Sequence, residues 1–578
     1  MNRRDLDFIL YEVENVEALC QTERYQHCDR ATFDAALDTA HQLAHSHFHQ
    51  YNAKGDRHPP QYCQETDTLT LLPEHVAAHR AYSDAGFLTT SMDAEVGGSQ
   101  MPVAVSGAVG LHFSSANAGF SAHFALNVGA AKILQHHGTD EQRAHVLPKL
   151  LSGEWCGTMC LSETHAGSSL TDIRTTAHPQ PDGTYKIRGN KMWITAAENN
   201  FGGTIAHMGI SLFLVPKHAL SFSEEGVSLG DRPASSSAWA GATGGATGHL
   251  VGEPNQGLHC MFIMMNELRF QVGLGGVGPA LAGYLYSLQY ARQRTQGRSP
   301  LCRDPSTPMV PIIEHSDVKR MLLLQKAYVE GALGLCMYTA GVIDALATTA
   351  DAAARSDKLL LLELLTPVVK AWPSEWCLEA NKWAMQVLGG YGYTQDFPLE
   401  QLYRDARPNM IYEGTSGALD LLGRKASMGG GAALKLLGAA VAEDVAAARA
   451  AGGAPLAEAA DSLEAAMQRL QETTATLLGA AAGGEVEVGL SNSHAYLTMT
   501  GHTAVAWQWL RQGTAARRGL LRLEAEGGDA SADDEAFYRG KLHTMQWFTR
   551  QELSKTEGMA QLLCSLDDTN VSMRGNWF

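Results

Sequence analysis

Apolar and polar positions divide the chain into three kinds of stretch. From residue 1 to about 155, apolar residues recur at helical spacing, as in ATFDAALDTAHQLAHSHFHQ (31–50) and PEHVAAHRAYSDAGF (73–87). In GTDEQRAHVLPKLLSGEW, Thr139 and Gln142 form a capping-box pattern after Gly138, opening a helix expected to end at Gly153. The period then shortens. WCGTMCLSETHAGSSL, TYKIRGNKMWIT and MGISLFLVP read as strand-like runs separated by turn residues, which places a small β domain at 156–252. Within it, Asn199–Gly203 and Ser235–Gly248 are polar, Gly-rich and structureless by pattern. Helical spacing returns over 257–296, 313–351 and 357–389. A glycine run at Gly429–Gly431 marks a boundary, and Ala-rich helices follow over 432–482, 492–524 and 533–566, with Glu526–Glu535 an acidic loop. Four parts result: 1–155 helical, 156–252 β, 253–430 helical and 431–578 helical. The fold class is mainly α with a small β domain.

Composition narrows the function. A chain of 578 residues exceeds one core. A formal net charge of −17 repels nucleic acid and anionic membrane, so neither is expected as a partner. No run approaches the length needed to span a bilayer, and MNRRDLDFILYEV lacks the apolar core of a signal peptide. The ten cysteines form no CxxC pair, which fits reduced thiols in a cytoplasmic protein. His41, His45, His47 and His49 cluster, with His41 and His45 one helical turn apart, but no further ligand completes a site and no metal is expected.

The candidate chemistry lies in QVLGGYGYTQDFPLEQLYRDARPNMIYEGTSG (386–417). Glu413 is a lone carboxylate in an apolar stretch after a Gly-rich turn and an Arg-Asp pair. Burial would hold it back from ionising and make it a base for a weakly acidic carbon proton.

Several motifs in order then point to a family. CLSETHAGSS (160–169), GNKMWIT (189–195), MNELRFQVGLGGVG (265–278), ARQRTQGR (291–298), QVLGGYGY and IYEGTSG together resemble the acyl-CoA dehydrogenases over about residues 30–426. The leader DLDFILYEV and the helical block 431–578 resemble the long subgroup that includes 3-methylthiopropionyl-CoA dehydrogenases. The resemblance implies FAD as cofactor, an acyl-CoA substrate, an electron-transfer flavoprotein as acceptor and a homodimer. It implies oxidation of the thioester to the trans-2-enoyl-CoA, with Glu413 removing the α-proton while hydride passes to flavin N5. It places Met159, Leu161, Ser162, Ser168, Trp193, Thr195, Arg294, Gln296, Gln386, Gly389, Gly390 and Thr415 at the cofactor. Ser168, Arg269, Tyr412 and Gly414 are placed at the substrate.

The chain departs from the family pattern in three gaps and one substitution. EGTSGALDLLGRK lacks the Ile-Gln pair usual after the base, a strand is expected to be missing at 201–208 and two more between 227 and 250, so that the β domain is short of up to three strands, and Thr164 stands where Pro is usual. An acyl-CoA oxidase, or a non-catalytic relative with weakened flavin binding, are the alternative readings.

Overall fold

A computed structural model describes residues 3–63, 65, 68–196, 204–207, 211–216, 218–223, 226–233, 245–299, 301, 304, 306–414, 417–526 and 532–578. The chain forms two compact units: residues 30–102 with 112–271, and residues 1–29 with 103–111 and 272–578.

The smaller unit opens with helices Arg30–Leu43 and Pro73–Asp84. Between them lies a short antiparallel hairpin of β1 (Gln61–Cys63) and β2 (Thr68–Thr70), so this part is not wholly helical as the spacing suggested. Phe48 packs against Phe113, Phe120 and Phe124, and Tyr82 stacks on Phe124, giving the helices an aromatic core. The capping box forms as read: Gln142 N–H donates to Thr139 Oγ1 and Thr139 N–H to Gln142 Oε1. Its helix is only Asp140–His145, and a second short helix, Leu147–Leu151, follows with Pro148 in its first turn.

The sheet is fuller than the sequence pattern implied. Eight more strands follow: β3 (Cys156–Met159), β4 (Thr176–Pro179), β5 (Tyr185–Arg188), β6 (Thr204–His207), β7 (Leu212–Pro216), β8 (His218–Ser223), β9 (Gly226–Pro233) and β10 (Ala246–Val251). Six of them form one sheet in the order β3-β6-β7-β10-β5-β4, while β8 and β9 pair as a separate hairpin. β6, β9 and β10 lie in stretches where the pattern showed no strand. β6 is four residues of mixed polarity, too short to show a period, yet it pairs parallel with β3 and antiparallel with β7. β10 begins at Ala246, inside the stretch read as structureless; Asn199–Gly203 and residues 235–244 lie outside the described residues.

Period 2 is clearest on β7. Leu212 and Leu214 enter a core with Trp155, Leu150 and Leu268, while Phe213 and Val215 enter another with Cys160, Ile187 and Ala246. A sheet covered on both faces reads as a continuous apolar run. Gly157 explains how the sheet meets its helix. A Cβ there would collide with Ala130, and its N–H donates to Asn127 Oδ1 at 2.7 Å.

The larger unit is helical. Ser316–Thr348 and Ala352–Leu388 pack with Met428–Ala451, Ala454–Ala482, Ser493–Glu526 and Ala532–Gln551. Gly429, Gly430 and Gly431 all have positive φ (60°, 67° and 84°), so the glycine run does break the chain direction before the last helices. Ser316–Thr348 is long and apolar enough to cross a membrane by length and composition, contrary to the sequence expectation. Most of that apolar surface is buried among other helices of the unit. Polar contacts join these helices too: Trp509 Nε1 donates to Ala327 O, Tyr328 Oη to Glu552 Oε2, and Lys541 Nζ lies 2.8 Å from Glu330 Oε2.

Candidate active site

The expected site residues fall into two groups, one in each unit. In the smaller unit, β3 ends at Met159 and the chain turns through Leu161 and Ser162. Met159 and Leu161 pack part-buried on the core of Trp155 and Leu150. The strand expected over 184–195 stops at Arg188, and at Gly189 the backbone lies so close to Thr175 that any side chain would collide with it. Lys191–Thr195 becomes a loop laid along the first segment. Met192 N–H donates to Ser162 O at 3.0 Å, Lys191 Nζ to Leu161 O at 3.0 Å, and Thr158 Oγ1 to Thr195 O.

Motifs 160–169 and 189–195 are thus brought together. Trp193 stands on this loop with a left-handed backbone (φ 62°) and is 86% exposed. A bulky residue in that conformation is strained, and a large exposed ring is unusual for packing. Ser168 is exposed in the 160–169 segment, and Arg269 is half-buried on the helix Gly257–Gln293.

Two residues that the sequence reading passed over hold this arrangement. Glu163 and Lys191 form an ion pair at 2.8 Å, with each side chain only 3% exposed. Glu163 also accepts from Arg174 N–H (2.8 Å), Thr175 N–H (3.1 Å) and Thr175 Oγ1 (2.6 Å). Burial alone would raise its pKa. Lys191 and the donors of Thr175 and Arg174 outweigh burial and bring it down to about 2. A Glu and a Lys inside two otherwise small and apolar motifs were the available signal.

In the larger unit, the helix Leu399–Ala406 leads through Arg407–Met410 into the turn that carries Glu413. Ile411 and Tyr412 N–H both donate back to Pro408 O, and Glu413 and Gly414 follow with φ of 56° and 79°. Glu413 is half-buried, less than the apolar run suggested, since Ile411 and Tyr412 beside it are exposed. Tyr412 Oη donates to Asn409 Oδ1, and Asn409 Nδ2 donates to Ala406 O (3.0 Å) and Gly275 O (3.3 Å). Lys370 Nζ donates to Gly414 O at 2.7 Å. Asn409 and Lys370 were not singled out from sequence, although a lone Lys in LLTPVVKAW is a signal of the same kind as Glu413.

The other expected cofactor residues of this unit lie on its surface. Arg294 and Gln296 are exposed on a short ladder in which Ile312 N–H donates to Arg294 O and Gln296 N–H to Val310 O. Gln386 is exposed at the end of the helix Ala352–Leu388, and Gly389 caps that helix with φ 62° and ψ −136°, a conformation suited to glycine. Gly390 follows, and a Cβ at either glycine would meet open space. Thr415 lies outside the described residues. Of the histidine cluster, His45 stacks on His49 and His41 meets the ring of His112 edge-on.

A small sheet unit and a long-helix unit make up the fold, and comparison with known proteins places it in the class of acyl-CoA dehydrogenase folds. Family models match for the acyl-CoA dehydrogenase N-terminal domain over residues 38–154, the acyl-CoA dehydrogenase C-terminal domain over 255–427, and the acetyl-CoA dehydrogenase C-terminal-like domain over 437–574. The chain belongs to the acyl-CoA dehydrogenase family. It is 35% identical to 3-methylmercaptopropionyl-CoA dehydrogenase of Ruegeria pomeroyi, over 88% of this chain and 87% of that protein. It is 31% identical to the broad-specificity linear acyl-CoA dehydrogenase FadE5 of Mycobacterium tuberculosis, over 98% and 97%. Among solved structures, an acyl-CoA dehydrogenase complexed with FAD from Bacillus anthracis shares the fold at a TM-score of 0.72 and 20% identity, covering 96% of this chain and 91% of that one.

Proposed function

We propose that the protein is an FAD-dependent acyl-CoA dehydrogenase that converts an acyl-CoA thioester to the trans-2-enoyl-CoA, with Glu413 as the base. The observation that carries this reading is the turn at Tyr412–Gly414. It holds a carboxylate-bearing residue in a left-handed conformation, between a lysine anchor on Gly414 O and the Tyr412–Asn409 contact. Such a conformation costs about 1–2 kcal/mol, so a turn that maintains it is built for a fixed carboxylate. The Bacillus anthracis structure sharing this fold is described as an FAD complex, and the two curated relatives are named as acyl-CoA dehydrogenases.

For a flavin, the smaller unit offers the flat exposed ring of Trp193 and the hydroxyls of Ser162 and Thr195 on adjoining segments. In the larger unit, Arg294 offers an exposed guanidinium suited to the pyrophosphate of a flavin held by the partner subunit of the proposed dimer. Met159, Leu161, Gln296, Gln386, Gly389 and Gly390 would complete the cofactor's contacts, and Ser168, Arg269, Tyr412 and Gly414 those of the substrate. When bound, the flavin supplies the hydride acceptor. Glu413 takes the α-proton, and its backbone N–H polarises the thioester carbonyl, stabilising charge as it develops on the oxygen. We further propose an electron-transfer flavoprotein as the acceptor, a homodimer as the assembly and the cytoplasm as the location.

Anaerobic absorbance spectra with a panel of acyl-CoAs test the reaction. The wild-type flavin bands should bleach. Glu413→Gln should keep its flavin and its fold but lose turnover by about 1,000-fold or more. Wild-type turnover in that variant would remove Glu413 from the mechanism.

A further inference from the structure

We infer that Lys370 is a positioning residue for the base, acting through the Gly414 carbonyl. The inference rests on the reading of Glu413 as the base.

Lys370 is 2% exposed and sits in the helix Ala352–Leu388 among Val368, Val369, Ala371 and Trp372, all buried. A methionine would fill much the same space without removing an ammonium from water, a step that costs several kcal/mol. Packing alone therefore does not account for a lysine here. Its Nζ donates to Gly414 O at 2.7 Å. That carbonyl belongs to the residue directly after Glu413, in a turn of two consecutive left-handed residues. A charge-assisted hydrogen bond is about twice as strong as a neutral one, enough to offset the conformational cost at Glu413.

The backbone beneath Lys370 is itself fixed. Ser374 Oγ donates to Lys370 O at 2.6 Å, and Pro373, inside the helix, has no N–H to offer Val369 O. A Cβ on Gly273 would collide with that same Val369 carbonyl, so the neighbouring helix backbone lies against this point. The lysine thus springs from a tightly packed helix crossing and holds the turn at Gly414. The Tyr412–Asn409–Gly275 contacts hold it at Tyr412. Displacement of a reacting group by about 1 Å can cost on the order of 100-fold in rate, so loss of the Lys370 anchor should appear in the chemical step.

The test is single-turnover flavin bleaching, expressed per bound flavin, by whichever of butyryl-, octanoyl- and palmitoyl-CoA reduces the wild type fastest. Lys370→Met and Lys370→Gln should slow bleaching by about 30- to 100-fold, with half-saturation within about threefold of wild type. Lys370→Arg, which keeps a charged donor, should recover most of the rate. A purely structural lysine would instead lower flavin content and thermal midpoint while leaving the rate per bound flavin unchanged. That result overturns the inference, as does failure of arginine to restore the rate. Glu413→Gln, run in parallel, separates the two claims. If it bleaches like wild type, the base assignment fails. If it is inert while Lys370→Met bleaches normally, only the role of Lys370 fails.

Discussion

Removing Lys191 strands a buried carboxylate, and the geometry of the pair sets the size of the effect. The Glu163 and Lys191 side chains are each 3% exposed and 2.8 Å apart. Deleting one member of a buried pair costs about 3–5 kcal/mol, mostly because the survivor remains charged and desolvated. Linkage gives the pH dependence of the whole Glu163 site, to which the Thr175 and Arg174 donors contribute as well as Lys191. Glu163 falls from the ordinary 4.5 to about 2 in the folded chain. At 1.36 kcal/mol per pH unit, that is about 3 kcal/mol of stability. The sign follows from the depressed folded value: the contribution is complete above about pH 4.5 and is lost as pH falls toward about 2.

Lys191→Met should therefore destabilise the smaller unit by about 3 kcal/mol at pH 7.5, and Glu163→Gln by a similar amount. The double variant Glu163→Gln/Lys191→Met should be less destabilised than the sum of the two, because neither charge is then left unpaired. Equilibrium urea unfolding of all four proteins provides the cycle. Strict additivity, or single losses below about 1 kcal/mol, would refute the argument that this pair holds the 160–163 and 191–195 segments together.

Other outcomes follow from local geometry. Thr139→Ala removes one half of the capping box before Asp140–His145 and should cost about 1 kcal/mol in the same unfolding assay. Any side chain at Gly157 meets Ala130, so Gly157→Val should destabilise far more than a surface change and lower the soluble yield. His75 is lowered to about 4 and His123 to about 3, by burial first and then by neighbouring histidines. Their neutral forms are favoured in the folded chain, so stability is full above about pH 6.5 and falls as the unfolded chain takes up protons below it. The thermal midpoint should drop between pH 7 and pH 5, and His75→Phe with His123→Phe should flatten that drop.

How much was legible in the sequence depends on whether a residue's role is local. The Thr139–Gln142 box, the turn at Gly429–Gly431 and the long helices were readable because each depends on neighbours within a few positions. The sheet was not. β6 and β10 are strands because of what they pair with, β3 and β7 for one and β7 and β5 for the other, and no period in four to six residues can announce a distant partner. The apolar helix Ser316–Thr348 shows the same limit from the other side: length and composition alone do not distinguish a buried helix from a membrane span. The site divides along this line as well. Glu413, Trp193 and Gly389 were picked out by motifs. Glu163, Lys191, Asn409 and Lys370 were not, since each acts on a backbone group or charge at least three residues away, and most of these partners are ten or more positions distant. A lone polar residue inside an apolar or small-residue motif is the sequence trace that such long-range anchors leave, because a buried charge persists only where the fold supplies a partner.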